Sequence, residues 1–125
     1  MAQHYELHLT NYEIAGAHCL KLPYESPCQN LHGHNWLVSV HLKSKTLAGH
    51  GMILDFKHIK DYLKKFDHQC LNDLVEFNPT AENLAKHFGE YVLSLAKAEG
   101  CKGIYEVRCE VQEAEHNIAS WVWEK

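Results

Sequence analysis

Apolar and polar residues alternate from His4 to Thr10, which places Tyr5, Leu7 and Leu9 on one face of a strand. Tyr12, Ile14, Gly16 and His18 continue the alternation. Pro23 to Gln29 carries two prolines and a serine and predicts a loop. From His34 a second run sets Trp36, Val38, Val40 and Leu42 opposite Ser39, His41 and Lys43, and the stretch from Gly49 to Gly51 breaks it. The spacing then lengthens to three and four: Phe56, Ile59, Leu63 and Phe66 predict a helix with Asp55 as its N-cap. Asn78-Pro79-Thr80 starts a second helix, with Thr80 as cap and Ala81 in the first turn. Leu84, Phe88, Tyr91 and Leu95 form its apolar stripe, and Gly100 can end it. In the two closing strands, Val107, Cys109 and Val111 share a face, as do Ala119, Trp121 and Trp123. The predicted order is ββααββ, an α+β layer in which both helices cover one face of an antiparallel sheet.

The 125 residues fit a single domain over 1–125, with no linker, repeat or low-complexity segment to divide it. A net charge of −4 argues against a general nucleic-acid binder. No apolar run approaches the roughly 18 residues of a membrane span, and the N-terminal stretch lacks a signal-peptide core. The five cysteines form no CxxC pair and read as thiols of a cytoplasmic protein.

Eleven histidines are more than ordinary surface chemistry needs. His32-Gly33-His34 opens a strand, so both imidazoles point to one face and can reach one ion. Pairing of the first two strands would bring His18 beside them. Three histidines leave a fourth position open, as a catalytic zinc requires. Two ordinary polar strand residues are the plainer reading of the HxH alone. Cys28, between Pro27 and Gln29, is the thiol best placed to react; Cys19, Cys70, Cys101 and Cys109 read as buried and inert. Asp67-His68 reads equally as an oriented acid–base pair or as a helix C-terminus with a dipole-compensating histidine. Glu113 continues the apolar register of Val107, Cys109 and Val111, which suits either a strand end meeting solvent or a carboxylate set in a pocket. The other histidines read as surface or helix-face residues.

His18 in AGAHCL, CQNLHGHNW from Cys28, GMILDF from Gly51, FDHQCLND from Phe66, NPTAENLA from Asn78 and VQEAEHNIASW from Val111 occur in order across nearly the whole chain. Together they resemble the 6-pyruvoyltetrahydropterin synthase and 6-carboxytetrahydropterin synthase family. The resemblance implies a tunnelling fold whose subunit is a four-stranded antiparallel sheet with two helices on one face. It implies His18, His32 and His34 as zinc ligands, Cys28 as the catalytic thiol, Asp67 and His68 as its catalytic partners, and Glu113 and Thr80 as pterin-binding residues. It further implies a homohexamer of two stacked trimers with active sites at subunit boundaries. Trp121 and Ile14 depart from the tyrosine and phenylalanine common in the family. Cys28 argues against the branch that carries glutamate there, and the short loops resemble the compact 6-carboxy enzymes. The implied substrate is 7,8-dihydroneopterin triphosphate and the implied product 6-carboxytetrahydropterin, on the way to queuosine. The pyruvoyl product is the alternative, and a non-catalytic zinc or pterin module or a thiol hydrolase built on Cys28 and His68 are readings of other classes.

Overall fold

The structure, a computed structural model, describes residues 2–125. Its elements are β1 (Tyr5–His18), β2 (His32–Ser44), α1 (Phe56–Lys64), β3 (Gln69–Cys70), α2 (Ala81–Ala98), β4 (Ile104–Ala114) and β5 (Asn117–Glu124). The strands form one sheet in the order β3-β1-β2-β4-β5. This corrects the expected four-stranded antiparallel sheet: there are five strands, and β3 runs parallel to β1. Two residues are too few for any periodicity to declare a strand. β3 exists because the chain leaves α1, reverses through His68 at φ 57, and lies along the outer edge of β1 at Gly16 and Ala17.

β1 is a single strand, but its two halves are out of phase. Leu9 pairs with Val40 and Tyr12 with Val38, so Thr10 and Asn11 together oppose Ser39 in a bulge. Asn11 takes the left-handed conformation (φ 56), which asparagine tolerates better than most residues, and its N–H donates to Ser39 Oγ at 2.9 Å. Core-facing positions are therefore odd before the bulge (Leu7) and even after it (Ile14, His18).

One apolar core lies between the sheet and the two helices, built from Ile14, Trp36, Val38, Val40 and Leu42 of β1 and β2 and Val107, Cys109 and Val111 of β4. Asp55 caps α1, its Oδ1 accepting the Lys57 N–H at 2.8 Å; Ile59, Leu63 and Phe66 are buried, while Phe56 at the first position is turned to solvent. Thr80 caps α2 by accepting the Asn83 N–H at 3.1 Å, and Gly100 ends it at φ 103. The buried face of α2 is Leu84, Ala85, Phe88, Gly89, Val92 and Ala96, not the expected stripe through Tyr91 and Leu95. Tyr91 lies at the rim, stacked on Tyr62 with ring centroids 3.8 Å apart. Gly89 sets the packing: an added Cβ there would overlap the Trp121 ring, so glycine lets α2 settle onto β5. No described helix is long and apolar enough to cross a membrane.

Candidate functional site

Antiparallel pairing of β1 with β2 sets His18 opposite His32 and Gly16 opposite His34, all on the core-facing side. One nitrogen from each imidazole lies within 4.8 Å of the others. His18 is fully buried, and its Nδ1 is 2.8 Å from the carbonyl of Pro79, which can only accept. Nδ1 therefore carries the proton, and the lone pair of Nε2 points into the cluster with no hydrogen-bond partner. The Nδ1 of His32 likewise donates to the carbonyl of Asn30 at 2.7 Å. The Nε2 of His34 is buried without a hydrogen bond, 3.4 Å from Glu113 Oε1.

Burial holds His18 below the usual histidine range, against the opposing pull of the Pro79 carbonyl, and so keeps it neutral. Three imidazoles, two of them oriented by backbone carbonyls, with two orphaned ring nitrogens between them, fit a metal ion bound through three nitrogens with one position open. Trp36 floors the cluster, its ring centroid 5.0 Å from that of His18 and 5.2 Å from that of His34. Gly16 makes room for that floor, since a Cβ there would stand 2.9 Å from the Gln69 carbonyl and 3.3 Å from the indole.

Beside the cluster opens a cleft of about 390 Å³. Leu20, Leu22 and Ile118 give it apolar walls, and Cys28, Thr80 and Glu113 bring polar atoms to it. Cys28 sits in a single 3₁₀ turn, Pro27–Gln29, whose start is capped by Ser26 Oγ accepting the Cys28 N–H at 3.2 Å. Glu113 lies in a second bulge, where Glu113 and Ala114 together oppose Asn117. The bulge aims its carboxylate between His34 and the cleft. Asp55 could not serve in place of Glu113, because its carboxylate is occupied as the cap of α1 and does not line the cleft. Among the described residues no lysine or arginine lines it.

Within one chain the structure does not bring Asp67 and His68 to Cys28. They stand at the outer edge of β1, where Asp67 Oδ1 accepts the Ala15 N–H and the His68 N–H donates to the Ala15 carbonyl at 2.6 Å. The His68 side chain is 82% exposed. Cys101 and Cys109 are buried as expected, and burial pushes the Cys109 thiol up to about 12; Cys19 and Cys70 are only partly covered.

Asn78-Pro79-Thr80 does more than begin a helix. The Asn78 side chain holds the backbone of Lys21 in the cleft wall, the Pro79 carbonyl orients His18, and Thr80 lines the cleft while capping α2. Sequence reasoning finds Thr80 as a cap from its local pattern and as a site residue only through the family resemblance, and it misses Asn78, Pro79 and Asn30, whose contributions are contacts far along the chain or made by backbone atoms.

A family model described as 6-pyruvoyl tetrahydropterin synthase matches residues 9–123. A 6-carboxy-5,6,7,8-tetrahydropterin synthase from Aquifex aeolicus is 31% identical over 118 residues, covering 74% of this chain and 73% of that protein. A relative from Pyrococcus abyssi is 41% identical over 59 residues, which span 47% of this chain and only 37% of that protein. The solved structure of 6-pyruvoyl tetrahydropterin synthase from Caenorhabditis elegans superposes with a TM-score of 0.71 at 25% identity, covering 95% of each chain.

Proposed function

Because the chain belongs to the 6-pyruvoyl tetrahydropterin synthase family, we propose that it is a zinc-dependent lyase, a 6-carboxytetrahydropterin synthase. With one water as co-substrate, it converts 7,8-dihydroneopterin triphosphate to 6-carboxytetrahydropterin, acetaldehyde and triphosphate, a step toward queuosine. The observation that carries this reading is the cleft that Cys28 and Glu113 share beside the cluster of His18, His32 and His34. The name of the Aquifex aeolicus relative supports the 6-carboxy product over the pyruvoyl one.

His18, His32 and His34 hold the metal. Zinc supplies, when bound, a Lewis acid that lowers the pKa of the substrate side-chain hydroxyls. Glu113 accepts the ring N–H and exocyclic amino group of the pterin, a paired-donor edge that one carboxylate matches. Cys28, as thiolate, takes the proton from the side-chain carbon, and Asp67 with His68 forms the second acid–base unit.

That second unit comes from a neighbouring copy. Among the described residues no strand pairs with the outer edge of β1 beyond Gly16 and Ala17, where Asp67 and His68 tie only Ala15, and β5 forms the opposite edge of the sheet. Open edges favour pairing between copies, which supports a homohexamer with sites at subunit boundaries. Five free thiols accord with a cytoplasmic setting.

The test is incubation of the zinc-loaded protein with 7,8-dihydroneopterin triphosphate and assay of the products. Acetaldehyde in step with triphosphate release is the expected result. Triphosphate without acetaldehyde assigns the pyruvoyl reaction instead, and tight pterin binding without turnover reduces the protein to a binding module.

A further inference from the structure

Residues 19–22 leave β1 and form a wall of the cleft, yet among the described residues no strand pairs with their outer edge. Two side chains stand in for one. The Cys19 N–H donates to Asn72 Oδ1 and the Cys19 carbonyl accepts from Asn72 Nδ2, both at 2.9 Å. The Lys21 N–H donates to Asn78 Oδ1 and the Lys21 carbonyl accepts from Asn78 Nδ2, again both at 2.9 Å. A primary amide is suited to this because it presents a donor and an acceptor side by side, as a peptide edge does.

The opposite edge of the segment carries the reactive turn. The Leu20 N–H donates to the Cys28 carbonyl at 2.8 Å, and Gln29 Nε2 donates to the Leu22 carbonyl at 3.0 Å. Asn78 is itself anchored, its carbonyl accepting the Thr80 N–H at 2.8 Å and Asn83 Nδ2 at 2.9 Å. Asn72 sits in the turn Leu71–Asp73 that follows β3.

We propose that Asn72 and Asn78 are positioning residues for Cys28: their amides fix the backbone of 19–22, and that backbone fixes the turn that carries the thiol. The role deepens the proposed function and rests on Cys28 acting in the cleft. A displacement of about 1 Å at a reacting group can cost on the order of 10² in rate, so a clamp this close governs turnover without touching substrate.

Asn72→Asp and Asn78→Asp test it in the full-length protein. Each keeps the side-chain shape and the acceptor but sets an oxygen against the Cys19 or Lys21 carbonyl. Three readouts are compared with wild type: metal per chain, kcat and KM separately, and the pH profile of Cys28 alkylation by iodoacetamide. The tryptic peptide from Leu22 to Lys43 contains Cys28 and no other cysteine, so the alkylation is read by mass spectrometry without interference. The expected result is unchanged metal content in Asn72→Asp, kcat lowered roughly tenfold or more with little change in KM, and a displaced alkylation profile.

Wild-type kcat and alkylation in both variants, with only a lower melting temperature, overturn the proposal. Should neither aspartate variant fold, Gln29→Leu removes the third tie from an exposed position; a displaced alkylation profile there upholds the mechanism and an unchanged one overturns it. Absence of turnover in the wild type sinks the proposed activity, while the alkylation comparison, which needs no substrate, still decides the positioning role.

Discussion

Asp67 accepts the backbone N–H of Ala15 on Oδ1 at 2.8 Å, although 52 residues separate the two in sequence. The next residue, His68, donates its own N–H to the Ala15 carbonyl at 2.6 Å and adopts φ 57. An exposed histidine is thus held by its backbone in a conformation that costs a non-glycine residue energy, a kind of strain that clusters at functional sites. The pair does not line its own chain's cleft, so the proposed activity calls for it to come from a neighbouring copy.

Subunit complementation follows from that placement. Cys28→Ala and His68→Ala should each lower turnover by roughly 10² or more, the scale of a lost acid–base group. Neither should change metal content. Unfolding the two variants together and refolding them as a mixture should restore part of the activity, because some boundaries then receive an intact Cys28 from one chain and an intact His68 from another. Activity that stays at the level of the separate variants would place both groups in one chain's site.

Metal binding has a built-in reporter. The protein should carry about one zinc per chain, and His32→Ala should empty the site. Trp36 packs against two of the three ligands, so paramagnetic cobalt in place of zinc should quench its fluorescence, and the quenching should vanish in His32→Ala. Quenching that persists in the variant would locate the metal elsewhere.

Glu113 and Asp55 should separate cleanly. Glu113→Gln sets an amide donor against a pterin donor, a mismatch of about 1–3 kcal/mol in a buried site. Pterin affinity should fall by one to two orders of magnitude with zinc retained. Asp55→Asn should leave pterin affinity unchanged, because Asp55 serves α1 by accepting the Lys57 N–H. Isothermal titration with a non-reactive pterin checks both, and loss of binding in Asp55→Asn alone would move the anchor there.

His87 makes stability depend on pH. It packs among Phe66, Phe77 and Phe88, and burial lowers its pKa below the usual 6.5, with Glu90 pulling the other way. The unfolded chain therefore binds the His87 proton more readily than the folded one. The folded state suffers no penalty above pH 6.5 and loses stability as pH falls from there toward the lowered folded value. Denaturant melts of His87→Gln should show a shallower loss of stability over that window than wild type; identical slopes would assign the acid sensitivity to other groups.

Much of the fold is legible in the sequence because its strands alternate cleanly and both helices announce their caps at Asp55 and Thr80. β3 is hidden by its two-residue length. The bulge at Thr10–Asn11 is hidden by its success: the runs through Leu7 and through Ile14 each alternate well, and only their opposite parity betrays the extra residue. The α2 stripe is misplaced by one position because Gly89, which carries no side chain to count as apolar, is where the helix meets Trp121. The histidine cluster can be anticipated from an HxH and a third histidine in a pairing strand. The amide clamps cannot, since an asparagine that grips a backbone more than fifty residues away leaves no local pattern.

Three consecutive residues, Asn78, Pro79 and Thr80, join the cleft wall, the buried imidazole of His18 and the first turn of α2. A ligand that binds the folded state alone stabilises whatever that state has ordered, and local opening is suppressed accordingly. Metal occupancy should therefore be written into backbone amides that never approach the ion. The N–H groups of Asn83 and Leu84, bonded to Thr80 Oγ1 at 3.1 Å and to the Thr80 carbonyl at 2.9 Å, should exchange with deuterium more slowly in the loaded protein than in the metal-free one. The end of a helix becomes the gauge of the site it helps to hold.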